Sequence, residues 1–144
     1  MSGAQELQDW VLEAHAADII VCGFGTDVAQ AFANAARAMV AAMTPLERIA
    51  ARETVRVSCQ APDLDMLFYD WLNAVIYEMA TRGMLFGDFR VRVEGDGLVA
   101  DLLGEPVDPA RHAPAVEPKG ATLSELSVRR RRDGRWAARC VVDV

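Results

Sequence analysis

The sequence predicts an α+β fold in which mainly antiparallel β-sheets pack with two amphipathic α-helices. Short stretches of alternating apolar and polar residues end at glycine-rich turns, which is typical of strands joined in hairpins. Two longer segments instead repeat apolar residues every three or four positions, as helices do. The elements follow one another as strands, helix, strand, helix and strands, and this order favours antiparallel sheets over alternating βαβ units.

The first half of the chain contains two predicted strands and the first helix. Residues 10–13 and 19–24 are rich in β-branched and aromatic side chains, so both are predicted strands. Asp27 is the predicted N-cap of the helix, with Gln30 completing a capping box, and the helix ends near Thr44 and Pro45. Its apolar face consists of Val28, Ala31, Phe32, Ala35, Met39, Val40 and Met43.

The second helix is expected to form the hydrophobic centre of the fold. It follows a half-buried strand at residues 54–60, begins after the cap residue Asp63 and ends at Gly83. Its apolar face consists of Leu64, Leu67, Phe68, Trp71, Leu72, Val75, Ile76 and Met79.

Hairpins dominate the rest of the chain. Strands are predicted at residues 89–94 and 98–103, around a glycine turn, and at residues 126–132 and 135–144, around Asp133-Gly134. Residues 104–118 contain four of the six prolines, which predicts a loop with at most one short helical turn. His112 is interpreted there as a loop residue, and Asp70 on the second helix as facing solvent.

Length and composition indicate a single cytoplasmic domain over residues 1–144, with a flexible N-terminus over residues 1–8. A chain of 144 residues can bury a core without disulfides, and 52% of it is hydrophobic. No apolar run approaches the roughly 20 residues of a membrane-spanning helix, so no membrane association is expected. The N-terminus is too polar for a secretory signal. Three separated cysteines are interpreted as buried free thiols in a reducing compartment.

The charge is distributed unevenly. Residues 129–144 have a net charge of +4, whereas residues 1–128 have −10, within a total of −6. An acidic body argues against wrapping nucleic acid, because phosphate contacts require clustered basic side chains. The run of four arginines at residues 129–132 could contact RNA or an acidic protein. A solvated hairpin edge that prevents sheet-to-sheet association is the favoured interpretation.

Two acidic strand ends are the candidates for a metal site. Asp18 follows His15 at the start of a strand, and Asp143 precedes the terminal residue Val144. Carboxylate and terminal oxygens are hard ligands suited to Ca²⁺, Mg²⁺ or Mn²⁺. From the residues alone, two solvated strand ends are the favoured interpretation. His15 either orients Asp18 or contacts a phosphate, or is a hydrogen-bonded structural residue at the turn.

The chain resembles the archease family, small proteins that activate the RtcB type of RNA-splicing ligase. The resemblance extends from about Trp10 to Val144. Its motifs are His15-Ala16-Ala17-Asp18, Asp70-Trp71-Leu72-Asn73 with Tyr77, Gly83-Met84-Leu85-Phe86, Gly104-Glu105-Pro106-Val107-Asp108-Pro109-Ala110-Arg111-His112, Glu117-Pro118-Lys119-Gly120-Ala121-Thr122 and Val141-Val142-Asp143-Val144. Their number and order make the resemblance specific.

The resemblance implies a metal-binding accessory protein that is not itself an enzyme. Asp18 and Asp143 would supply side-chain oxygens to a divalent metal, and Val144 a main-chain oxygen. Lys119 matches a family lysine near this site that is needed for activation. His15 and Lys119 would face the partner or a phosphate. In the family, the protein promotes guanylylation of the ligase and its multiple turnover in tRNA splicing and RNA repair, with indirect involvement of RNA.

Several positions depart from the family pattern. Ala16 replaces a threonine, Ile20 replaces a glycine, and Leu123 and Ser124 replace an aromatic residue and a histidine. Val28 and Ala29 stand where the family has an acidic pair. These changes leave the implied metal ligands intact and fall on the surface expected to face the partner.

Two other classes of function stay open. The first is a chaperone-like protein-binding module of the same fold with a vestigial metal site. The second, less favoured, is a metal-dependent hydrolase, because the sequence shows neither a nucleophile–base pair nor three ligands for a catalytic metal. It also contains no P-loop, dinucleotide fingerprint, zinc-ligand spacing or Gly-x-Ser-x-Gly elbow.

Overall fold

Two antiparallel sheets form the framework of the protein. The computed structural model describes residues 8–15 and 18–144, with His15 described by its backbone alone. The predicted flexible N-terminus lies outside these residues except for Gln8. The first sheet contains β1 (Trp10–His15), β2 (Asp18–Gly25), β6 (Gly120–Ala121), β7 (Ser127–Arg130) and β8 (Trp136–Asp143). The second contains β3 (Glu53–Gln60), β4 (Met84–Glu94) and β5 (Gly97–Pro106).

The order of the strands makes β8 the centre of the first sheet. The order there is β1-β2-β8-β6, and β7 also pairs with β8; the second sheet has the order β3-β5-β4. Every pairing is antiparallel. The predicted α+β class is therefore confirmed. The predicted hairpins β4–β5 and β7–β8 are also present.

Two long helices join the sheets. Helix α1 (Val28–Ala41) contacts strands of both sheets, and helix α2 (Leu64–Arg82) does the same from the other side of the core. Trp71 of α2 is fully buried, and its indole nitrogen donates to the Phe32 carbonyl at 2.9 Å. This bond satisfies the one polar atom of the largest core side chain. Both helices contribute buried residues to the core, so α2 shares with α1 the central position that was expected of α2 alone.

The helix ends agree with the capping prediction in all but one detail. Asp27 and Asp63 accept from the backbone amides three residues on, each at 2.8 Å, and Gly83 ends α2 in the left-handed conformation. The side chain of Gln30 accepts from the Thr26 amide at 2.7 Å, so the predicted capping box closes one residue earlier than expected. None of the helices in the described part of the chain is long and apolar enough to cross a membrane.

Residues 107–118 are loop with one short helical turn, as predicted, but residues 104–106 are not. Gly104 to Pro106 extend β5, and a four-residue helix α3 (Pro109–His112) follows. A Cβ atom on Gly104 would lie 1.9 Å from the Leu85 carbonyl oxygen, so the adjacent strand passes too close for any side chain there. Gly104 thus permits the close contact between the two strands. The short strand β6 was not predicted either.

Candidate functional site

The residues predicted from the two ends of the chain meet at one end of the first sheet. His15 lies opposite Asp18 in the β1–β2 hairpin, Asp18 lies opposite Asp143 in the β2–β8 pair, and Gly120 lies opposite Asp143 on its other side. The four backbone positions thus form one row across four strands. Residues 16 and 17, between β1 and β2, lie outside the described residues, as does the side chain of His15.

Asp18 and Asp143 share the face of the sheet that points away from α1. A Cβ on Gly23 of β2 would lie 2.1 Å from the Ala31 carbonyl oxygen in α1, so Gly23 faces the helix. Alternation along the strand then directs Asp18 to the opposite face, and directly paired residues share a face. Asp18 is half-buried and Asp143 is exposed.

Neither carboxylate is neutralised by the described part of the chain. Neither Asp18 nor Asp143 forms an ion pair or a side-chain hydrogen bond with a residue described here. Directly paired residues have Cβ atoms about 4.5–5.5 Å apart, and like charges in that arrangement destabilise a sheet. A cation between the two carboxylates would remove this repulsion, so the donor set fits a hard divalent metal.

The backbone of Lys119 is anchored to the same position. Its amide donates to the carbonyl oxygen of Asp143 at 2.8 Å, immediately before β6. Its side chain is exposed and forms no ion pair with Asp18 or any other described carboxylate. The only lysine of the chain therefore starts beside the acidic pair with its ammonium group uncommitted.

Helix α2 and β8 hold the segment that contains Lys119. The Asn73 side chain accepts from the Ala121 amide at 2.9 Å, and both the amide and the hydroxyl of Thr122 donate to the Val141 carbonyl at 2.9 Å. Asn73 belongs to one of the motifs that carry the family resemblance. Its structural role is to fix the unpredicted strand β6 against the end of β8.

The acidic pair does not form a complete metal shell by itself. The described residues contain no group of three histidine, cysteine, aspartate or glutamate side chains that could bind a metal ion. The expected set consists of two carboxylates and an oxygen of Val144, which is half-buried after the end of β8. Calcium takes six to eight oxygen ligands, so water or a partner would have to supply the others.

A second polar cluster, centred on Glu105, was not singled out from the sequence. The Glu105 carboxylate accepts two bonds from Arg111, at 2.7 and 2.9 Å, and one from the Ala50 amide at 2.8 Å. These donors hold the pKa of the nearly fully buried carboxyl well below its usual value. The signal was available, because Glu105 and Arg111 lie in the same family motif.

His112 is a buried residue at the end of α3, and its interpretation as a loop residue is wrong. Its Nδ1 accepts from the Asp108 amide at 2.8 Å, so the ring proton is on Nε2, which donates to Glu105 at 2.9 Å. The short helix that begins at Pro109 turns the imidazole into the core. The histidine therefore serves the structure and is occupied by these contacts.

The cysteines provide no reactive thiol. Cys22 and Cys140 are buried, Cys59 is partly buried and all three are free, which largely confirms the prediction. Burial raises the pKa of Cys140 to about 11 and also raises the pKa of Cys22 and Cys59. A protonated thiol is a poor nucleophile and a poor metal ligand.

Comparisons with known proteins agree with one another. The model of the archease protein family (MTH1598/TM1083) matches residues 10–144. The protein archease of Pyrococcus furiosus is 32% identical over 142 residues, covering 96% of this chain and all of that protein. The protein archease of Aeropyrum pernix is 33% identical over 140 residues, covering 94% and 96% of the two chains.

Two solved structures have a similar fold. The solution structure of protein 1598 from Methanobacterium thermoautotrophicum matches with a TM-score of 0.81 at 27% identity, covering 94% of this chain and 99% of that one. A crystal structure from Thermotoga maritima, described as an archease and possible chaperone, matches with a TM-score of 0.61 at 20% identity. The match covers 90% of this chain and 93% of the Thermotoga maritima chain. At 20% identity the similarity concerns the fold alone.

Proposed function

The chain belongs to the archease family, and we propose that it is a non-catalytic accessory protein that activates an RtcB-type RNA ligase. In this proposal it binds a divalent metal, Ca²⁺, Mg²⁺ or Mn²⁺, and promotes guanylylation and multiple turnover of the ligase. The ligase is its partner in tRNA splicing or RNA repair in the cytoplasm.

The convergence of Asp18 and Asp143 is the observation that supports this proposal most directly. They are 125 positions apart in the chain and directly opposite one another in the sheet. Their carboxylates have no cationic partner among the described residues, and they lie on the face away from α1. Lys119, which the family resemblance also places at the site, is tied to Asp143 through a backbone hydrogen bond.

The proposed metal site would be open towards a partner. Asp18, Asp143 and an oxygen of Val144 would hold the ion at the end of the sheet. A divalent cation supplies positive charge that stabilises phosphate oxygens during phosphoryl transfer. Since this chain would fill only part of the coordination shell, ligands from the ligase or its bound nucleotide would complete it.

Lys119 and His15 would act toward the phosphate side of that interface. The Lys119 ammonium is a compact charge on a flexible stem that starts beside the acidic pair. In the proposal it contacts a phosphate of the nucleotide when the partner is bound. The backbone of His15 lies in the same row as Asp18, so its imidazole starts from the same end of the sheet.

A guanylylation assay with the cognate ligase, GTP and divalent metal tests the proposal. Adding the protein should increase the rate of guanylylation. Asp18→Asn and Asp143→Asn should each reduce that increase roughly tenfold or more, the scale on which even outer-shell partners of a metal act. Glu94→Gln, an exposed carboxylate on the second sheet, is the matched control and should behave as wild type. No effect of the wild-type protein on its own ligase would refute the proposal.

Calorimetric titration with Ca²⁺ or Mn²⁺ separates the metal site from a purely protein-binding role. The wild type should bind the ion and Asp143→Asn should bind it at least about tenfold more weakly. In the absence of metal the melting temperature of Asp143→Asn should be no lower than that of wild type, because the substitution removes one of two opposed like charges. Identical titrations for the two proteins would instead favour the chaperone-like module with a vestigial site. Lys119→Met should retain metal binding and lose activation.

A further inference from the structure

The β7–β8 hairpin concentrates positive charge that the proposed activation site does not use. Six of the fourteen arginines lie within residues 129–144, whereas the rest of the chain is strongly acidic. Four of them, at residues 129–132, run through the end of β7 into the turn. All four are exposed.

In the part of the chain that the structure describes, carboxylates pair with three of the six arginines. Arg131 pairs with Asp133 at 3.5 Å and Arg135 with Asp9 at 3.6 Å; Arg139 pairs with Glu13 and Glu125, at 3.2 and 2.9 Å.

The unneutralised group consists of Arg129, Arg130 and Arg132, which have no carboxylate partner within residues 8–15 and 18–144. Arg130 donates from its Nε to the Gly134 carbonyl at 3.4 Å. We call these three residues the arginine edge.

The arginine edge lies along an open border of the sheet. Among the described residues, strand β7 pairs with β8 alone. On its other side, the Val128 amide donates to the Asp65 side chain of α2. Arg129 and Arg130 end β7, and Arg132 lies in the turn that follows. A polyanionic strand running along this border would therefore meet the three guanidinium groups within four consecutive residues.

Flat stacking surfaces stand next to these charges. The guanidinium carbons of Arg131 and Arg135 lie 5.0 and 5.9 Å from the ring centre of Phe24. Trp136, opposite Arg130 in the hairpin, instead packs against the hydrophobic core, so the stacking surface here is Phe24 with its guanidinium partners. Unpaired RNA bases stack on aromatic rings and on guanidinium planes, whereas the carboxylates of an acidic protein surface would not stack on these groups.

We propose that the arginine edge, with the stacked pair Arg131 and Phe24, binds the backbone and bases of a single-stranded RNA. The choice of RNA rests on the proposed function, because an RNA ligase acts on RNA ends. Seven residues of β8 separate Trp136 from Asp143, which is about 23 Å along the strand. The RNA contact is therefore distinct from the acidic pair, and one RNA strand could reach from one to the other.

Fluorescence anisotropy with a labelled single-stranded RNA oligonucleotide tests this contact directly. The full chain is compared with the triple variant Arg129→Ser, Arg130→Ser and Arg132→Ser. The control triple variant is Arg48→Ser, Arg90→Ser and Arg92→Ser, which removes the same charge from exposed positions elsewhere. The edge variant should bind RNA at least about tenfold more weakly than the control. Its slope of log K against log salt should be smaller by about 2, because three phosphate contacts are lost.

Three results would overturn the RNA contact. The first is equal RNA affinity of the two triple variants. The second is self-association of the edge variant in sedimentation with unchanged RNA affinity, which would assign the arginines to protection of the sheet edge. The third is unchanged RNA affinity combined with weaker binding to the ligase, which would identify an acidic protein surface as the partner.

Guanylylation in the absence of RNA distinguishes failure of this proposal from failure of the activator function. The edge variant should stimulate guanylylation as wild type does, and Asp143→Asn should bind the RNA oligonucleotide as wild type does. Loss of guanylylation in the edge variant would contradict a separate RNA contact. Failure of wild type to stimulate guanylylation, with RNA binding intact, would contradict only the activator function.

Discussion

Glu105 shows how one buried side chain can determine the path of a proline-rich segment. Its carboxylate joins the distant Ala50 amide to two neighbouring side chains of α3, the Arg111 guanidinium and the His112 ring. Each partner contributes a hydrogen-bond donor to the same negative charge. Hydrogen bonds to charged groups are stronger than those between neutral groups, so the segment from Gly104 to His112 is fixed by this one residue.

Glu105→Gln should lower the melting temperature at neutral pH and flatten its acid dependence. The bonds from Arg111, the Ala50 amide and His112 depress the pKa of Glu105 below its ordinary 4.5. Its contribution to stability is therefore fully present above pH 4.5 and is lost as the pH falls from there toward the lower folded-state pKa. Glutamine has no such titration. Thermal unfolding by circular dichroism at about pH 7 and about pH 3 measures both effects.

Glu53→Gln is the control for the Glu105 prediction, because Glu53 is an exposed residue at the start of β3. It should unfold like wild type at both pH values. If the difference in melting temperature between wild type and Glu105→Gln were the same in acid as at neutral pH, the ionised carboxylate would not be the source of the stability.

The contact between β2 and α1 depends on a position without a side chain. A Cβ on Gly23 would lie 2.1 Å from the Ala31 carbonyl oxygen and 2.3 Å from the Ala35 nitrogen, and these are backbone atoms that cannot rotate away. Gly23→Ala should therefore destabilise the protein by about 1–3 kcal/mol or more, as overpacking does. Gly97→Ala is the control, since its nearest neighbour would be 3.6 Å away. Denaturant unfolding of both variants measures the difference, and equal stabilities would contradict the close approach.

Local patterns predicted most elements, and long-range contacts explain the errors. The helices and hairpins depend on spacing, caps and turns, which neighbouring residues determine. The position of Gly104 in a strand depends on the close approach of the Leu85 backbone. Strand β6 depends on the hydrogen bond to the Asn73 side chain and on its pairing with β8. Neither contact is visible in a local pattern. The burial of His112 was missed because it depends on Glu105, whose carboxylate also accepts from the distant Ala50 amide.

The candidate site could be predicted only in part from the residues themselves. Periodicity placed Asp18 and Asp143 at strand ends, but their pairing is a property of the order of strands in the first sheet. The family resemblance supplied that connection and Lys119. The metal, the partner and the cytoplasmic location stay predictions.

At the scale of the whole molecule, the two sheets share one hydrophobic core. The buried cluster includes Val142 from the first sheet, Val57 from the second, and residues of both α1 and α2. Because both helices contact both sheets, neither sheet has an apolar face of its own to keep when the other unfolds. A single domain with one shared core is therefore predicted to unfold cooperatively.

The protein should unfold in one transition in which the calorimetric and van't Hoff enthalpies agree, at about 100 kcal/mol for a chain of this length. Val142→Ala and Val57→Ala test this from opposite sheets, since each removes about 2 kcal/mol of burial and packing. Each should lower the melting temperature by roughly 4–8 °C and move the whole transition. Far-ultraviolet circular dichroism reports on both sheets, and tryptophan fluorescence reports on Trp71 in the core and on Trp10 and Trp136 of the first sheet. Separation of the two melting curves in either variant would mean that the sheets unfold independently. Coincident curves in both would show that the strands that bear Asp18 and Asp143 unfold together with the entire chain.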